Sequence, residues 1–268
     1  MKSLRKILES NNPIKNNSKN ISDHNGTNRG ENEYLCPICQ DRGLILENDT
    51  AYPCTCMQQK KLTNRFRTAR ISKALTACRF DKFNLDYYLS PDGTKTDQES
   101  AKRALEAARN FVNNYLKDPY GLGLLFTGPV GSGKTYLAVA IANELMLHDH
   151  QVLFLVVPDL LDELRAAFKS EVNELDLLDT ARTVPVLILD DLGAHNYTEW
   201  TKNRLYSIIN YRMNELLPTI VTTNLSLDEM EDYLGLRTTS RLVQMSKIYR
   251  LSSADIRLRI YQEREIKN

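Results

Sequence analysis

The sequence lacks any apolar run close to the roughly 18 residues that a membrane-spanning helix needs. Its longest strongly apolar stretch is Val152–Val157. The first twelve residues are basic, but no hydrophobic region and no small-residue cleavage site follow them, so we expect no secretory signal. These absences exclude membrane and secreted proteins, and we expect a cytoplasmic protein.

An excess of charge of one sign is also missing, because 35 Lys and Arg residues balance 34 Asp and Glu residues among 268. The balance hides a basic segment, since residues 57–82 hold eight basic residues and one acidic residue. Such a segment either contacts phosphate or an acidic partner or is a solvated face. The length fits one or two domains, at about 150 residues each.

Cysteine is scarce and clustered. Four of the five cysteines, Cys36, Cys39, Cys54 and Cys56, form the pattern C-x2-C-x14-C-x-C, which suits a metal site in a reducing compartment. Four thiolates satisfy tetrahedral Zn²⁺, and such a small unit needs the metal to fold. Because C-x-C is the less usual half, His24 is an alternative to one of the last two ligands. A redox pair is the main competitor, although no thioredoxin-like pattern surrounds the motif.

Composition divides the chain into four segments. We expect a short helix and a disordered, Asn-rich linker at 1–33, a zinc-binding module at 34–56, a basic helical linker at 57–82 and one larger folded domain at 83–268.

From about residue 98 helical patterns alternate with short apolar runs. The pattern predicts helices at 98–117, 134–147, 159–169 and 199–215, and strands at Gly123–Thr127, Gln151–Val157, Val186–Asp190 and Thr219–Thr223. Strands that are apolar throughout and separated by helices predict a parallel sheet covered on both faces, which is an α/β fold. We expect residues 230–268 to be a mostly helical lid or tail.

A phosphate-binding motif follows the first strand. The sequence fits G-x-x-x-x-G-K-[ST], and the candidate nucleotide-binding residues are Gly128, Pro129, Val130, Gly131, Ser132, Gly133, Lys134 and Thr135. The glycines let backbone N–H groups face phosphate oxygens, Lys134 reaches the β- and γ-phosphates, and Thr135 offers its hydroxyl to Mg²⁺. The alternative is a glycine-rich turn that only connects strand and helix.

Polar residues end two further strands. The strand Val186–Asp190 places Asp190 beside the Mg²⁺ ion and Asp191 where it could polarise an attacking water. Asn224 follows another strand and is expected at the same edge of the sheet, holding that water or sensing the γ-phosphate. Alternatively, the two acids cap a helix and Asn224 only turns the chain.

These motifs, followed by Ser240-Arg241-Leu242 and Asp255-Ile256-Arg257, resemble the AAA+ ATPases of the DnaC/DnaI type over about residues 76–260. Those proteins are bacterial loaders of the replicative helicase and relatives of the IstB-type transposition ATPases. The resemblance implies that Asn224 is sensor 1, that Arg241 is the arginine finger and that Arg257 is the sensor 2 arginine that contacts the nucleotide. It also implies that residues 77–83 run near the adenine. Asp191 departs from the glutamate of most AAA+ members, which suggests slow hydrolysis.

The resulting hypothesis is an ATPase, weak without partners, that uses ATP, Mg²⁺ and Zn²⁺ to load a hexameric replicative helicase onto single-stranded DNA. Its catalytic residues would be Lys134, Asp191, Asn224 and Arg241, and it would self-associate through its ATP sites. Alternatives are an IstB-like transposition or phage regulatory ATPase, and a zinc-ribbon DNA-binding protein regulated by nucleotide. Arg165 and Lys169 on the helix 159–169 are the candidates for DNA contact. The alternative is a surface helix whose charges are only solvated.

Overall fold

A small hairpin comes first in this computed structural model, which describes residues 36–47, 50–54, 56–57, 65, 67–89, 96–168, 174–194 and 197–267. The hairpin pairs β1 (Leu44–Glu47) antiparallel with β2 (Thr50–Pro53). The chain divides into two units, Met1–Pro53 and Cys54–Asn268. The helix and linker expected at 1–33, with His24, lie outside the described residues.

Five strands form the sheet of the second unit. They are β3 (Gly123–Thr127), β4 (Val152–Val156), β5 (Val186–Leu192), β6 (Thr219–Thr223) and β7 (Ser246–Arg250). Their spatial order is β4–β5–β6–β3–β7, and every neighbouring pair is parallel. The carboxyl ends of all five strands therefore lie along one edge of the sheet.

Eight helices are described in this unit. They are α1 (Thr96–Tyr115), α2 (Lys134–Leu147), α3 (Val157–Phe168), α4 (Glu174–Thr183), α5 (Glu199–Asn214), α6 (Leu227–Leu234), α7 (Leu236–Met245) and α8 (Ile256–Lys267). Alternate strand side chains face opposite layers: Phe126 packs with α1 and α2, and Leu125 packs with α3 to α7. Burial on both faces explains the apolar runs Leu124–Phe126 of β3 and Val186–Leu189 of β5. The predicted α/β fold is confirmed.

The region 230–268 is mostly helical, as predicted, but it is not only a lid or tail, because it also contains β7 of the sheet. This strand pairs with β3 along its whole length, from Gly123 opposite Ser246 to Thr127 opposite Arg250. Only its first residue is fully buried. An edge strand that is half exposed does not need a continuous apolar run, so its sequence lacks the usual signal.

The linker predicted to be helical at 57–82 does not stay helical along its described residues. Arg70 has a φ of 59°, which ends the helical turn before it. The carbonyl of Ala69 instead accepts a hydrogen bond from the N–H of Phe154 on β4, at 2.9 Å. Three short 3₁₀ turns follow, at Lys73–Leu75, Phe80–Lys82 and Leu85–Tyr88. Residues 69–88 therefore pack against the core and do not form a continuous helix.

Candidate functional site

The loop between β3 and α2 curls around the beginning of the helix. Gly133 precedes α2 with a φ of 90°, a left-handed conformation that favours glycine. The free N–H groups and the positive end of the helix dipole therefore point into the loop. The hydroxyl of Tyr88 donates to the carbonyl of Ser132 at 2.7 Å and fixes the loop from outside. This geometry suits an anion.

Lys134 is buried within this loop. Its Nζ donates to the carbonyl oxygens of Gly128, at 2.9 Å, and Pro129, at 2.6 Å. Burial lowers the pKa of Lys134 to about 8, while Asp191 and Asp190 act in the opposite direction. The ammonium group is therefore charged at neutral pH and is held by weak neutral acceptors, which phosphate oxygens could replace.

Asp190 lies at the centre of a hydrogen-bond network. Its Oδ1 accepts from the hydroxyl of Thr135 at 2.8 Å and from the hydroxyl of Thr222 at 2.6 Å. Burial raises the pKa of Asp190, and the two hydroxyl groups lower it. A carboxylate next to a hydroxyl offers the oxygen ligands that Mg²⁺ prefers. The two residues predicted as magnesium ligands are thus in direct contact.

A β-bulge brings Asp191 to the same place. Asp190 and Asp191 together face the single residue Thr222 of β6, because the pairing of β5 and β6 shifts between Leu189 and Leu192. Asp191 has a φ of 58°, its N–H donates to the Thr222 hydroxyl at 3.0 Å, and its Oδ1 accepts from Asn224 at 3.0 Å. The strand continues to residue 192, so the predicted end at Asp190 is two residues too early.

These groups line a cavity of about 550 Å³. Residues 131–135 of the loop, Asp190, Asp191, Asn224 and Arg257 line one part of it. Aromatic and apolar side chains line the rest, with ring centroids 5.4 Å apart for Phe83 and Tyr88; the others include Leu75, Cys78, Tyr136, Val156, Ile256 and Ile260. The volume and the mixed lining suit a ligand with an apolar, planar end and an anionic end.

The helix α8 closes this cavity. The N–H of Ile256 donates to the carbonyl of Gly131 at 3.2 Å, and Arg257 lines the cavity close enough to lower the pKa of Lys134. Two hydrogen bonds join α8 to the segment before α1. Arg259 donates to the carbonyl of Tyr87 at 3.2 Å, and the Tyr87 hydroxyl donates to Glu263 at 3.2 Å. The structure therefore brings Arg257 to the predicted site.

Arg241 does not line this cavity. It lies on α7, where its Nε donates to the side chain of Asn210 at 2.8 Å and its guanidinium stacks 4.7 Å from the ring centre of Tyr206. Both partners belong to α5. The structure thus separates Arg241 from the other predicted site residues of its own chain.

Two arginines of the basic segment at 57–82 contact helices of their own unit. Arg70 forms a two-pronged ion pair with Glu163 of α3, and Arg65 donates to the carbonyl of Met146 at the end of α2. On α3 itself, Arg165 is exposed and pairs with Asp162, while Lys169 lies outside the described residues. Some of the excess basic charge therefore serves internal contacts.

The four clustered cysteines come together as the spacing predicts. The sulfur atoms of Cys36, Cys39, Cys54 and Cys56 lie within 4.8 Å of one another. In a tetrahedral site with Zn–S bonds of about 2.3 Å, sulfur atoms lie roughly 3.8 Å apart, so the set fits zinc with little movement. The N–H of Gly43 donates to the Cys39 sulfur at 3.3 Å and helps to hold that sulfur in place.

Sequence reasoning missed several residues of the site. Thr222 was one residue of a predicted strand, and Tyr88 and Tyr136 carried no motif. Asn143 is buried on α2, and its amide donates to carbonyls of the segment that lines the cavity. The fifth cysteine, Cys78, is buried and also lines the cavity.

The family described as "IstB-like ATP binding protein" matches residues 94–261. This span is more than half of the chain, and it runs from α1 to α8. The replicative helicase loader DnaI of Bacillus subtilis (strain 168) is 28% identical over 237 residues, which cover 87% of this chain and 71% of DnaI.

Two solved structures show the same architecture. The DnaC helicase loader is 30% identical with a TM-score of 0.57, and the match covers 68% of this chain and 100% of that one. The AMPPCP-bound DnaA from Aquifex aeolicus is 20% identical with a TM-score of 0.53, covering 67% of this chain and 56% of DnaA. The DnaA likeness bears on the fold alone. The predicted AAA+ fold and the resemblance to the DnaC/DnaI type are confirmed.

Among the described residues, no helix has the length and apolar character to cross a membrane.

Proposed function

The chain belongs to the IstB-like ATP-binding protein family, and from this premise we propose that it is an ATP-dependent loader of a replicative DNA helicase onto single-stranded DNA. The extent of the similarity to DnaI carries the proposal. A match over 87% of 268 residues leaves only about 35 residues outside it, so it has to cover nearly all of the cysteine motif at 36–56, whereas the family match begins at residue 94. The similarity to a helicase loader therefore extends beyond the ATPase unit.

We propose ATP with Mg²⁺ as the ligand of the cavity. The planar base would lie against Phe83, Tyr88 and Tyr136, and the triphosphate would lie in the loop that ends with Lys134. Thr135 and Asp190 would hold the magnesium ion, because their oxygens are in contact and both face the loop. When bound, the ion neutralises phosphate charge.

Hydrolysis would depend on the bulge in β5. Asp191 lines the cavity as the candidate base, and the amide of Asn224 fixes its carboxylate. Its side chain is one methylene shorter than the glutamate of most AAA+ proteins, so we expect slow turnover. Slow turnover suits a switch between an ATP-bound and an ADP-bound loader.

Assembly would complete the site. Arg241 lies outside the cavity of its own chain. Its side chain is held by a hydrogen bond to Asn210 of α5. We propose that it meets the γ-phosphate of a neighbouring chain, in a head-to-tail contact that leads to a ring or an open spiral. The four cysteines would bind one structural Zn²⁺, and the zinc module would contact the helicase.

A reconstitution with two reciprocal variants tests the proposal. The purified chain is mixed with a bacterial replicative helicase, and helicase transfer onto circular single-stranded DNA is measured with ATP and with ADP. We expect Cys36→Ser to lose co-elution with the helicase and to keep ATP binding. We expect Lys134→Ala to keep co-elution and to lose both ATP binding and transfer. A wild-type chain that neither co-elutes with the helicase nor promotes transfer would contradict the loader function.

A transposition ATPase is the second candidate, since the matched family carries the IstB-like description. The same cavity would then control a transposase rather than a helicase. Co-elution with a transposase, and none with a helicase, would favour this function.

A further inference from the structure

We infer that Asn143 is a positioning residue for the base of the nucleotide. In this inference α2 fixes the base wall, which is the part of the apolar end of the cavity formed by residues 75–79, relative to the phosphate loop. The inference rests on the proposed ATP binding. It concerns the segment at residues 75–79, which carries two residues of the apolar end of the cavity, Leu75 and Cys78.

Asn143 binds the backbone of this segment at three points. Its Nδ2 lies 2.8 Å from the carbonyl oxygen of Cys78, 3.2 Å from that of Leu75 and 3.3 Å from that of Thr76. The side chain is only 5% exposed. The three carbonyls point toward one amide, so the turn at 75–78 is folded around it.

A second side chain of α2 holds the same segment. The hydroxyl of Tyr136 accepts from the N–H of Arg79 at 3.3 Å and donates to its carbonyl at 3.1 Å. Residues seven apart lie on one face of a helix, so Tyr136 and Asn143 form a stripe against the segment. The same helix begins with Lys134, about 13 Å along the axis from Asn143 at about 1.5 Å per residue. One rigid element thus holds both ends of the cavity.

The remaining atom of the amide argues against simple space filling. Asn143 Oδ1 is buried and has no hydrogen-bond partner among the described residues. A position that only fills the core would be occupied by leucine, which has a similar size and no polar atom to leave unpaired. Rotating the amide would turn its oxygen toward the three carbonyl oxygens, which repel it. The donating orientation is therefore the one that the surroundings select.

Two ligands that share the phosphate chain separate positioning from folding. Dissociation constants are measured for Mg²⁺-ATP and for Mg²⁺-tripolyphosphate, which has no base. We expect Asn143→Leu to weaken ATP binding about tenfold or more, because the base wall is no longer fixed, and to leave tripolyphosphate binding within about twofold.

The controls keep the test decisive. Asn110→Leu makes the same change at an exposed position of α1 and should alter neither constant. Tyr136→Phe should lower ATP affinity in the same direction as Asn143→Leu, and it carries the test if Asn143→Leu does not fold. Equal weakening of ATP and tripolyphosphate, or no weakening of either, would overturn the inference. A wild-type chain that binds tripolyphosphate but not ATP would overturn it too, and binding of neither would reject the proposed ATP site itself.

Discussion

Replacing Thr222 by valine tests how the bulge in β5 is held. The hydroxyl of Thr222 donates to the buried carboxylate of Asp190 and accepts from the N–H of Asp191. Valine keeps the branched shape and removes both bonds. The substitution therefore affects Asp190, the candidate Mg²⁺ ligand, and Asp191, the candidate base, while both residues stay unchanged.

The magnitude follows from the two partners. A hydrogen bond to a charged group contributes about 1.5–3 kcal/mol, and a buried N–H left without a partner costs about 1 kcal/mol or more. We expect Thr222→Val to lower the free energy of unfolding by about 2–4 kcal/mol, a large part of the roughly 5–15 kcal/mol that a domain has. The pKa of Asp190 should rise further, because one of the bonds that lower it is gone. Mg²⁺-dependent ATP binding should weaken about tenfold.

Thr223→Val is the matched control. The Thr223 hydroxyl donates to the carbonyl of Leu192 at 2.6 Å and accepts from the N–H of Leu225 at 3.1 Å, so one donated and one accepted bond are again lost. Its acceptor is neutral, and we expect a loss of about 1–2 kcal/mol. Urea unfolding measures stability, and calorimetric titration with and without Mg²⁺ measures ATP binding. If both variants weakened Mg²⁺-dependent binding equally, Thr222 would have no special role in the site.

Three further predictions address other parts of the molecule. Arg212 is fully buried and donates to five backbone carbonyls, so Arg212→Met should cost about 3–5 kcal/mol in urea unfolding, and a loss below 1 kcal/mol would contradict this structural role. Elemental analysis should find one zinc per chain and almost none in Cys36→Ser; zinc retained in that variant would exclude Cys36 as a ligand. Arg241→Ala should bind ATP without hydrolysing it, and mixing it with Lys134→Ala should restore some turnover. Arg257→Ala should not be rescued by such mixing, and its rescue would reverse the two assignments.

The parts of the fold that could be predicted are those in which all residues of an element are buried to a similar degree. The strands β3 and β6 have the predicted bounds because they are almost wholly buried and consist of apolar and β-branched residues. The strand β7 was missed because it lies at the edge of the sheet and four of its five residues keep some exposure. The linker expected to be helical at 57–82 loses its helix for a different reason, since distant groups bind the backbone at Ala69 and Cys78.

The site divides in the same way. The phosphate loop could be predicted because its glycines, Lys134 and Thr135 are adjacent in sequence. The aromatic side of the cavity could be predicted only in part. Phe83 belongs to the segment that the resemblance places near the adenine, but Tyr88 and Tyr136 join it only after the fold forms, and aromatic residues are more often core than site. Asn143 was invisible for the same reason, since its three acceptors lie more than 60 residues away.

The pair Asp190 and Asp191 shows where a correct residue prediction still lacks its mechanism. Adjacent residues of a regular strand point to opposite faces, so two successive carboxylates should not serve one site. Here both line the same cavity because β5 has an extra residue opposite Thr222 and Asp191 is left-handed, a conformation that aspartate tolerates better than most residues. The bulge is fastened by a hydroxyl on the neighbouring strand, where threonine also fits as an ordinary strand residue. The motif therefore works only with a partner that β6 supplies, and the pairing of the two strands decides whether two acids make one site.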